Sequence, residues 1–252
     1  MIKALSRTSV DLKTTEVISS LLQILNTKKA RYNDKVETLE KEYARLIGVK
    51  EAVAFPYSRT GTYYALKALE LQEGDEVIMP AFTFWVDAAM VVMAGLKPVF
   101  VDVNFETQSI DTALIENAIT PRTKVIYPTH LNGLPADMDQ IMKIAKKHDL
   151  RVMEDCARSC GATYKDKRIG SFDIGSFSFG YGKSFYGFGG AMVTSDNTAF
   201  IKKLRDLKKD FKHISLKNLC IQTLKGSLLK YLNISYFYRF SIFPMVYKFQ
   251  VE

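Results

Sequence analysis

From Glu51 onward, short apolar runs alternate with longer amphipathic ones about six times. EAVAF, DEVIMP, KPVFVDV, TKVIYPTH and LRVMED read as strands, and RTGTYYALKALEL, FWVDAAMVVMAG, SIDTALIENAI and ADMDQIMKIAKKHD read as the helices between them. The strand candidates are short and apolar, as parallel strands buried on both faces are. The alternation predicts an α/β fold, a mostly parallel sheet flanked by helices. Two helices are expected ahead of it. TTEVISSLLQIL is the first. NDKVETLEKEYARLIG is the second, with Asn33 as N-cap and Val36, Leu39, Tyr43, Leu46 and Ile47 on one face.

The chain has 252 residues, 47% hydrophobic and 25% charged, enough for a sizeable core. Its first residues contain no uninterrupted apolar stretch, so neither a signal peptide nor a membrane anchor is expected there. Cys156, Cys160 and Cys220 are too few and too irregular for a disulfide framework, which points to a reducing cytoplasm. Cys156 and Cys160 are spaced as helix neighbours. Buried small residues are the expected reading there, and no metal site is expected. The net charge of +8 resides entirely in residues 201–252, since residues 1–200 balance. That distribution argues against a nucleic-acid binder.

In open parallel sheets, ligands sit beyond the carboxyl ends of the strands. The residues placed there are Pro56 to Arg59, Pro80 to Phe84, Asp102, Thr129 and His130, Glu154 and Asp155, and the turn holding Lys183. An acid, a lysine, aromatics and a helix N-terminus therefore converge on one rim. Two roles are open to Asp155. It could cap a helix over CARSCG, or pair with a protonated ring nitrogen, since a half-buried carboxylate needs a cationic partner. Lys183 could be a solvated turn residue. Its setting favours more, because an apolar strand (Ile174 to Phe179) delivers it to the rim and glycines 180, 182, 187, 189 and 190 surround it. Desolvated there, its amine would have a lowered pKa and could act as a nucleophile. A Schiff-base lysine with an aspartate on a pyridinium nitrogen is the arrangement that pyridoxal 5′-phosphate requires. Ser58-Arg59-Thr60-Gly61 opens a helix and could cap it or receive a phosphate. Phe84 and Trp85 could pack in the core or stack on a ring.

The order of these motifs resembles the DegT/StrS-type sugar aminotransferases, which have the type I fold of aspartate aminotransferase. The matching text is EKEYARLIGVKEAVAF, GDEVIMPAFTFWVDAAMVVMAGLKPVFVDV, ITPRTKVIYPTHLNGLPADMDQIMKIAKKHDLRVMEDCARSCGA and FSFGYGKSFYGFGGAMVTSD, in register from about Asn33 to Asp196. The resemblance implies that Lys183 carries the cofactor and Asp155 pairs with its pyridine nitrogen. Phe84 would stack on the ring, Ser178 would touch the phosphate, and Ser58 and Arg59 would stand in the phosphate loop. His130 falls in the family's His-x-x-Gly segment with no role assigned, while His148 and His213 are expected on exposed helix surfaces. The implied reaction moves an amino group from a donor such as glutamate to a nucleotide-linked keto sugar, and the implied assembly is a homodimer. A related dehydratase branch has histidine at the lysine position, so Lys183 points to transamination.

Several positions depart from the family pattern. Arg158 replaces a glutamine that would face the ring 3′-oxygen, and Ser58-Arg59 replaces Gly-Thr. The segment after Lys183 is one residue short, with Phe188 where an acid commonly stands. The family continues into a smaller C-terminal domain that LKNLCIQTLKGSLLKYLNISYFYRFSIFPMVYKFQVE does not resemble. The expected organisation is an N-terminal helical segment (1–32), a cofactor-binding large domain (33–210) and a basic aromatic tail (211–252). The tail is expected to be a truncated or divergent remnant, with a partner interface or an anionic membrane surface as alternatives. Lys230 and Arg239 interrupt it too closely for a spanning helix. A catalytically impaired relative, serving as a binding or regulatory subunit, is the rival reading of the whole chain.

Overall fold

A computed structural model of the chain describes residues 33–209 continuously, together with Phe211 and isolated positions within 15–22 and 217–228. Most of the first expected helix, His213 and most of the tail lie outside the described residues. The described elements run in this order: α1 (Asn33–Ile47), β1 (Glu51–Phe55), α2 (Ser58–Ala68), β2 (Glu76–Pro80), α3 (Trp85–Met93), β3 (Lys97–Val101), α4 (Thr112–Ile115), β4 (Thr123–Ile126), α5 (Met138–Lys147), β5 (Arg151–Asp155), β6 (Thr163–Tyr164), β7 (Lys167–Arg168), β8 (Ile174–Ser178), β9 (Ala191–Ser195) and α6 (Thr198–Lys208).

Seven strands form one sheet in the order β1-β9-β8-β5-β4-β2-β3. The pairs from β8 through β3 are parallel, and β9 runs antiparallel between β8 and β1. The expected architecture is therefore present. Strand β2 shows why its apolar run is continuous. Val77 and Met79 enter the core under α2, α3 and α6, while Ile78 faces the opposite core under α5. Strand β3 departs from the doubly buried pattern because it is the sheet edge, and Phe100 is half exposed.

Helix α1 does not bury the predicted face. Its inward residues are Glu40, Tyr43, Ala44 and Ile47, while Val36, Leu39 and Leu46 are exposed. A buried acid displaces the apolar stripe because Glu40 has three jobs. Its carboxylate accepts from Ala54 N (2.7 Å), Arg205 (2.6 Å) and Lys208 (3.3 Å), tying α1 to β1 and α6. Two further expectations are corrected. SIDTALIENAI forms only the short α4 and a single 3-10 turn over Glu116–Ala118. CARSCG forms turns rather than a helix, so Cys156 and Cys160 are not helix neighbours.

Strand β8 carries Ser176 and Ser178 to the rim, and Gly175 sets its depth. A Cβ there would meet Gly170 Cα at 2.5 Å, Thr194 Oγ1 at 2.5 Å and Gly170 O at 2.6 Å. Two of those atoms are backbone and cannot turn aside. Gly175→Ala is expected to destabilise the chain by at least about 2 kcal/mol through overpacking. Chemical denaturation checks this, and an unchanged midpoint would show that the Gly170 turn is not fixed against β8.

Candidate active site

At the carboxyl ends of the strands lies a cavity of about 540 Å³. Its wall includes Ser58, Arg59, Phe84, Asp155, Arg158, Ser178 and Lys183, so every residue singled out for the site borders one space. Tyr57, Thr129 and His130 border it as well. Of the other rim residues, Asp102 lies outside the wall and bonds the next amide, Val103 N, at 2.8 Å. Glu154 also lies outside it, because alternation along β5 turns neighbouring side chains to opposite faces.

Glu154 is fully enclosed and fully bonded. Its carboxylate accepts from Gly170 N (2.7 Å), Phe172 N (2.9 Å) and His130 Nε2 (3.1 Å). These bonds also fix the His130 tautomer. Ala136 N–H donates to Nδ1 at 3.0 Å, so the ring proton sits on Nε2 and points at Glu154. Cys156 brings a third ligand-type atom, and the three groups lie within 4.8 Å of one another. Each is already engaged in the interior. Burial raises the Cys156 pKa well above the ordinary thiol value, and its S–H donates to Glu154 O. The cluster is a hydrogen-bonded support for the end of β5.

Asp155 is different. It ends β5 buried, and one carboxylate oxygen accepts from Ala157 N at 2.9 Å. The capping reading survives only as this local turn. Burial pushes the Asp155 carboxyl up, against the Ala157 amide and the charges of Lys183 and Arg158. Lys183 is half-buried in the cavity wall, and its Nζ lies 5.8 Å from the centre of the Phe84 ring. Burial lowers the Lys183 pKa, Arg158 adds to the lowering, and Asp155 and Asp87 oppose it. The turn that holds Lys183 is built from left-handed backbone at Gly182, Phe188, Gly189 and Gly190. Ser184 Oγ donates to Arg158 O at 2.6 Å and fastens the turn to the β5 side.

Helix α2 starts at Ser58. Tyr57 precedes it as N-cap residue without a side-chain cap bond, and Tyr57, Ser58 and Arg59 all border the cavity. Phe84 occupies the N-cap position of α3 and is half exposed toward the cavity. Trp85 is largely exposed and does not border it. His148 ends α5 half-buried and bonds Glu116 at 2.7 Å, rather than standing free on a helix surface.

Sequence reading missed Asp87, which borders the cavity and is buried. Burial, and then the charge of Asp155, push its carboxyl well above the ordinary range. The Tyr127 hydroxyl and Lys183 pull it the other way. It also missed Lys225, the described residue that brings the basic tail to the cavity. The signal for Asp87 was its place on the first turn of a helix that starts at the rim.

Sheet order and rim together define a class, the type I fold of the pyridoxal-phosphate-dependent sugar aminotransferases. Solved structures of this class superpose on the chain. One is DesV of S. venezuelae in complex with a ketimine intermediate, at 29% identity and TM-score 0.74, covering 84% of this chain and 62% of that one. Another is NtdA of Bacillus subtilis with bound PMP, also at 29% identity and TM-score 0.74, covering 93% of this chain and 57% of that one. The chain belongs to the DegT/DnrJ/EryC1/StrS aminotransferase family, whose model matches residues 12–219. Among curated proteins it is 45% identical to a UDP-N-acetyl-3-dehydro-alpha-D-glucosamine 3-aminotransferase of Acidithiobacillus ferrooxidans, over 77% of this chain and 53% of that protein. The chain spans about half the length of the curated relatives it matches.

The charges around Lys183 give a signed prediction. Replacing Arg158 removes a cation that disfavours the ammonium, so Arg158→Gln raises the Lys183 pKa. Asp155→Asn removes a carboxylate that favours the ammonium, so it lowers that pKa further. Competitive acylation of the lysines across pH, read by mass spectrometry, measures both. Shifts of the same sign in the two variants would overturn the arrangement.

Proposed function

We propose that this chain is the cofactor-binding part of a pyridoxal 5′-phosphate-dependent aminotransferase. Its substrates on this reading are a nucleotide-linked keto sugar and an amino-acid donor such as glutamate. The observation that carries the reading is the shared cavity, in which a desolvated lysine amine, a buried aspartate and an aromatic face converge.

The residues present fit that cofactor. Lys183 offers an amine of lowered pKa, Asp155 a buried carboxylate, and Phe84 a ring face beside the amine. The start of α2 at Ser58 and Arg59, where the Tyr57 side chain makes no cap bond, suits a phosphate together with Ser178 on the same wall. When bound, the cofactor supplies an electron sink for the charge left as the substrate Cα proton departs. Asp155 would hold a proton on the ring nitrogen. Lys183 Nζ is the base that takes the Cα proton and returns it, and its lowered pKa keeps a larger share of it as free amine near neutral pH. Arg158, whose charge reaches Lys183, would donate to a ring oxygen. Phe84 would orient the ring by stacking.

On the same reading, residues 1–32 are a helical lead, 33–210 the large domain and 211–252 a basic tail. The active form is a cytoplasmic homodimer. Lys225 at the cavity supports a tail that faces substrate or partner, and an anionic membrane surface is the alternative for the rest of it. Among the described residues, no helix is long and apolar enough to cross a membrane. A second reading, a binding or regulatory subunit, is favoured by Ser58-Arg59 standing where the family pattern has Gly-Thr.

Borohydride reduction of the chain with pyridoxal 5′-phosphate is expected to leave a stable adduct on Lys183, absent in Lys183→Ala. Glutamate is expected to convert the bound cofactor to its pyridoxamine form, about a hundredfold or more slowly in Asp155→Ala. Adduct without glutamate-dependent conversion would favour the regulatory subunit. No adduct on a folded chain would remove the cofactor reading altogether.

A further inference from the structure

Behind the cavity wall, four hydroxyls link the two ends of the site. The Tyr127 hydroxyl bonds Asp87 Oδ1 at 3.2 Å. Thr62 Oγ1 lies 3.3 Å from the Tyr127 hydroxyl and 3.2 Å from Ser176 Oγ. Ser176 Oγ lies 3.4 Å from Ser58 Oγ at the start of α2. Thr62, Tyr127 and Ser176 are no more than 1% exposed, so water does not interrupt the chain. It runs from α3 through the end of β4, the interior of α2 and β8, and back to the first residue of α2.

A hydroxyl has one proton, so a chain of hydroxyls has two directions. Between these hydroxyls either atom can donate. If Asp87 is ionised it can only accept. Tyr127 then donates to Asp87, Thr62 to Tyr127, Ser176 to Thr62 and Ser58 to Ser176. The Ser58 proton points inward and its lone pairs face the cavity. If Asp87 carries a proton, it can donate to Tyr127 and every bond reverses. Ser176 then donates to Ser58, and the Ser58 proton is free to point at an anion.

We propose that this hydroxyl chain couples the protonation of Asp87 to the donor direction of Ser58, which makes Asp87 and Tyr127 positioning residues for an anion at the start of α2. The groups facing Asp87 are Tyr127 at the end of β4, Asp155 on β5 and Lys183 on the turn after β8. Burial, and then Asp155, disfavour ionisation of Asp87, while the Tyr127 hydroxyl and Lys183 favour it. Holding the proton on Asp87 keeps Ser58 in its donating direction. Naming the anion as the cofactor phosphate rests on the function proposed above, but the coupling does not.

Inorganic sulfate is a suitable probe, because its charge does not change between about pH 5 and about pH 9. Calorimetric titration of the wild-type chain should show sulfate affinity falling as pH rises through the ionisation of Asp87. The fall should be about tenfold to a hundredfold, the worth of one hydrogen bond to a charged oxygen. Part of any fall comes directly from new negative charge on Asp87 and Asp155 and from the loss of the Lys183 charge. Tyr127→Phe keeps both titrating groups and cuts the chain; it moves the ionisation of Asp87 upward and should reduce the size of the fall to that remainder. Thr62→Val cuts the chain at another point while leaving the Tyr127–Asp87 bond in place, so it separates the coupling from any shift in Asp87 and also serves if Tyr127→Phe does not fold. Profiles as steep as wild type in either folded variant would overturn the coupling, as would a wild-type chain that binds no sulfate. Absence of a Lys183 adduct in the borohydride experiment would refute the cofactor reading alone and leave the sulfate profile to decide the coupling.

Discussion

The site is organised by two adjacent carboxylates at the end of one central strand. Glu154 and Asp155 both end β5 buried, and a strand sends them to opposite faces. Burying one carboxylate is costly unless donors surround it. On the Glu154 side the protein supplies all of them, from Gly170, Phe172 and His130. Those bonds recruit two distant segments, the loop after β4 and the turn before β8, and so lock the end of the strand. On the Asp155 side the protein supplies one backbone amide and leaves the carboxylate facing a cavity with nearby cations. The fully satisfied acid holds the partly satisfied one in place.

The Lys183 turn is held by similar means. Three glycines and one phenylalanine take left-handed backbone there. For glycine this conformation is free, and for Phe188 it costs of the order of 1 kcal/mol. The turn is anchored at both ends. Gly187 N bonds Phe179 O at 3.0 Å, and Gly190 N bonds Pro56 O at 3.2 Å. The second bond joins the lysine turn to the residues that lead into α2. The amine and the proposed phosphate end therefore share a backbone frame, with the buried hydroxyls running beneath it.

Much of this was legible in the sequence because it rests on period and punctuation. Strands β1, β2 and β5 follow from continuous apolar runs, and the cavity residues follow from the rule that strand ends carry ligands. What the sequence hid was the cost of burying charge. Helix α1 has a plausible apolar stripe, yet it turns Glu40 inward because Ala54, Arg205 and Lys208, scattered along the chain, converge on that acid. CARSCG has the spacing of a helix, but Asp155 and Ser159 turn its backbone back toward β5 and His130. Asp87 looked like an ordinary first-turn acid. It is buried and accepts from the Tyr127 hydroxyl, and no local pattern ties the two residues together.

The charge balance of the cavity limits what can occupy it. Arg59, Arg158, Lys183 and Lys225 border the space, against Asp155 and Asp87. Four basic groups face two acids, and the charge of Asp155 further disfavours ionisation of Asp87. The wall is therefore positive on balance. Arg59 lies over the Tyr57 ring at 4.7 Å, which holds its guanidinium at the start of α2. A neutral or cationic ligand would leave these charges uncompensated once water was displaced. A ligand with a phosphate at α2 and a proton-bearing ring nitrogen at Asp155 would compensate both ends. The cations left over, Arg158 and Lys225, would still favour a second anionic group beside the first.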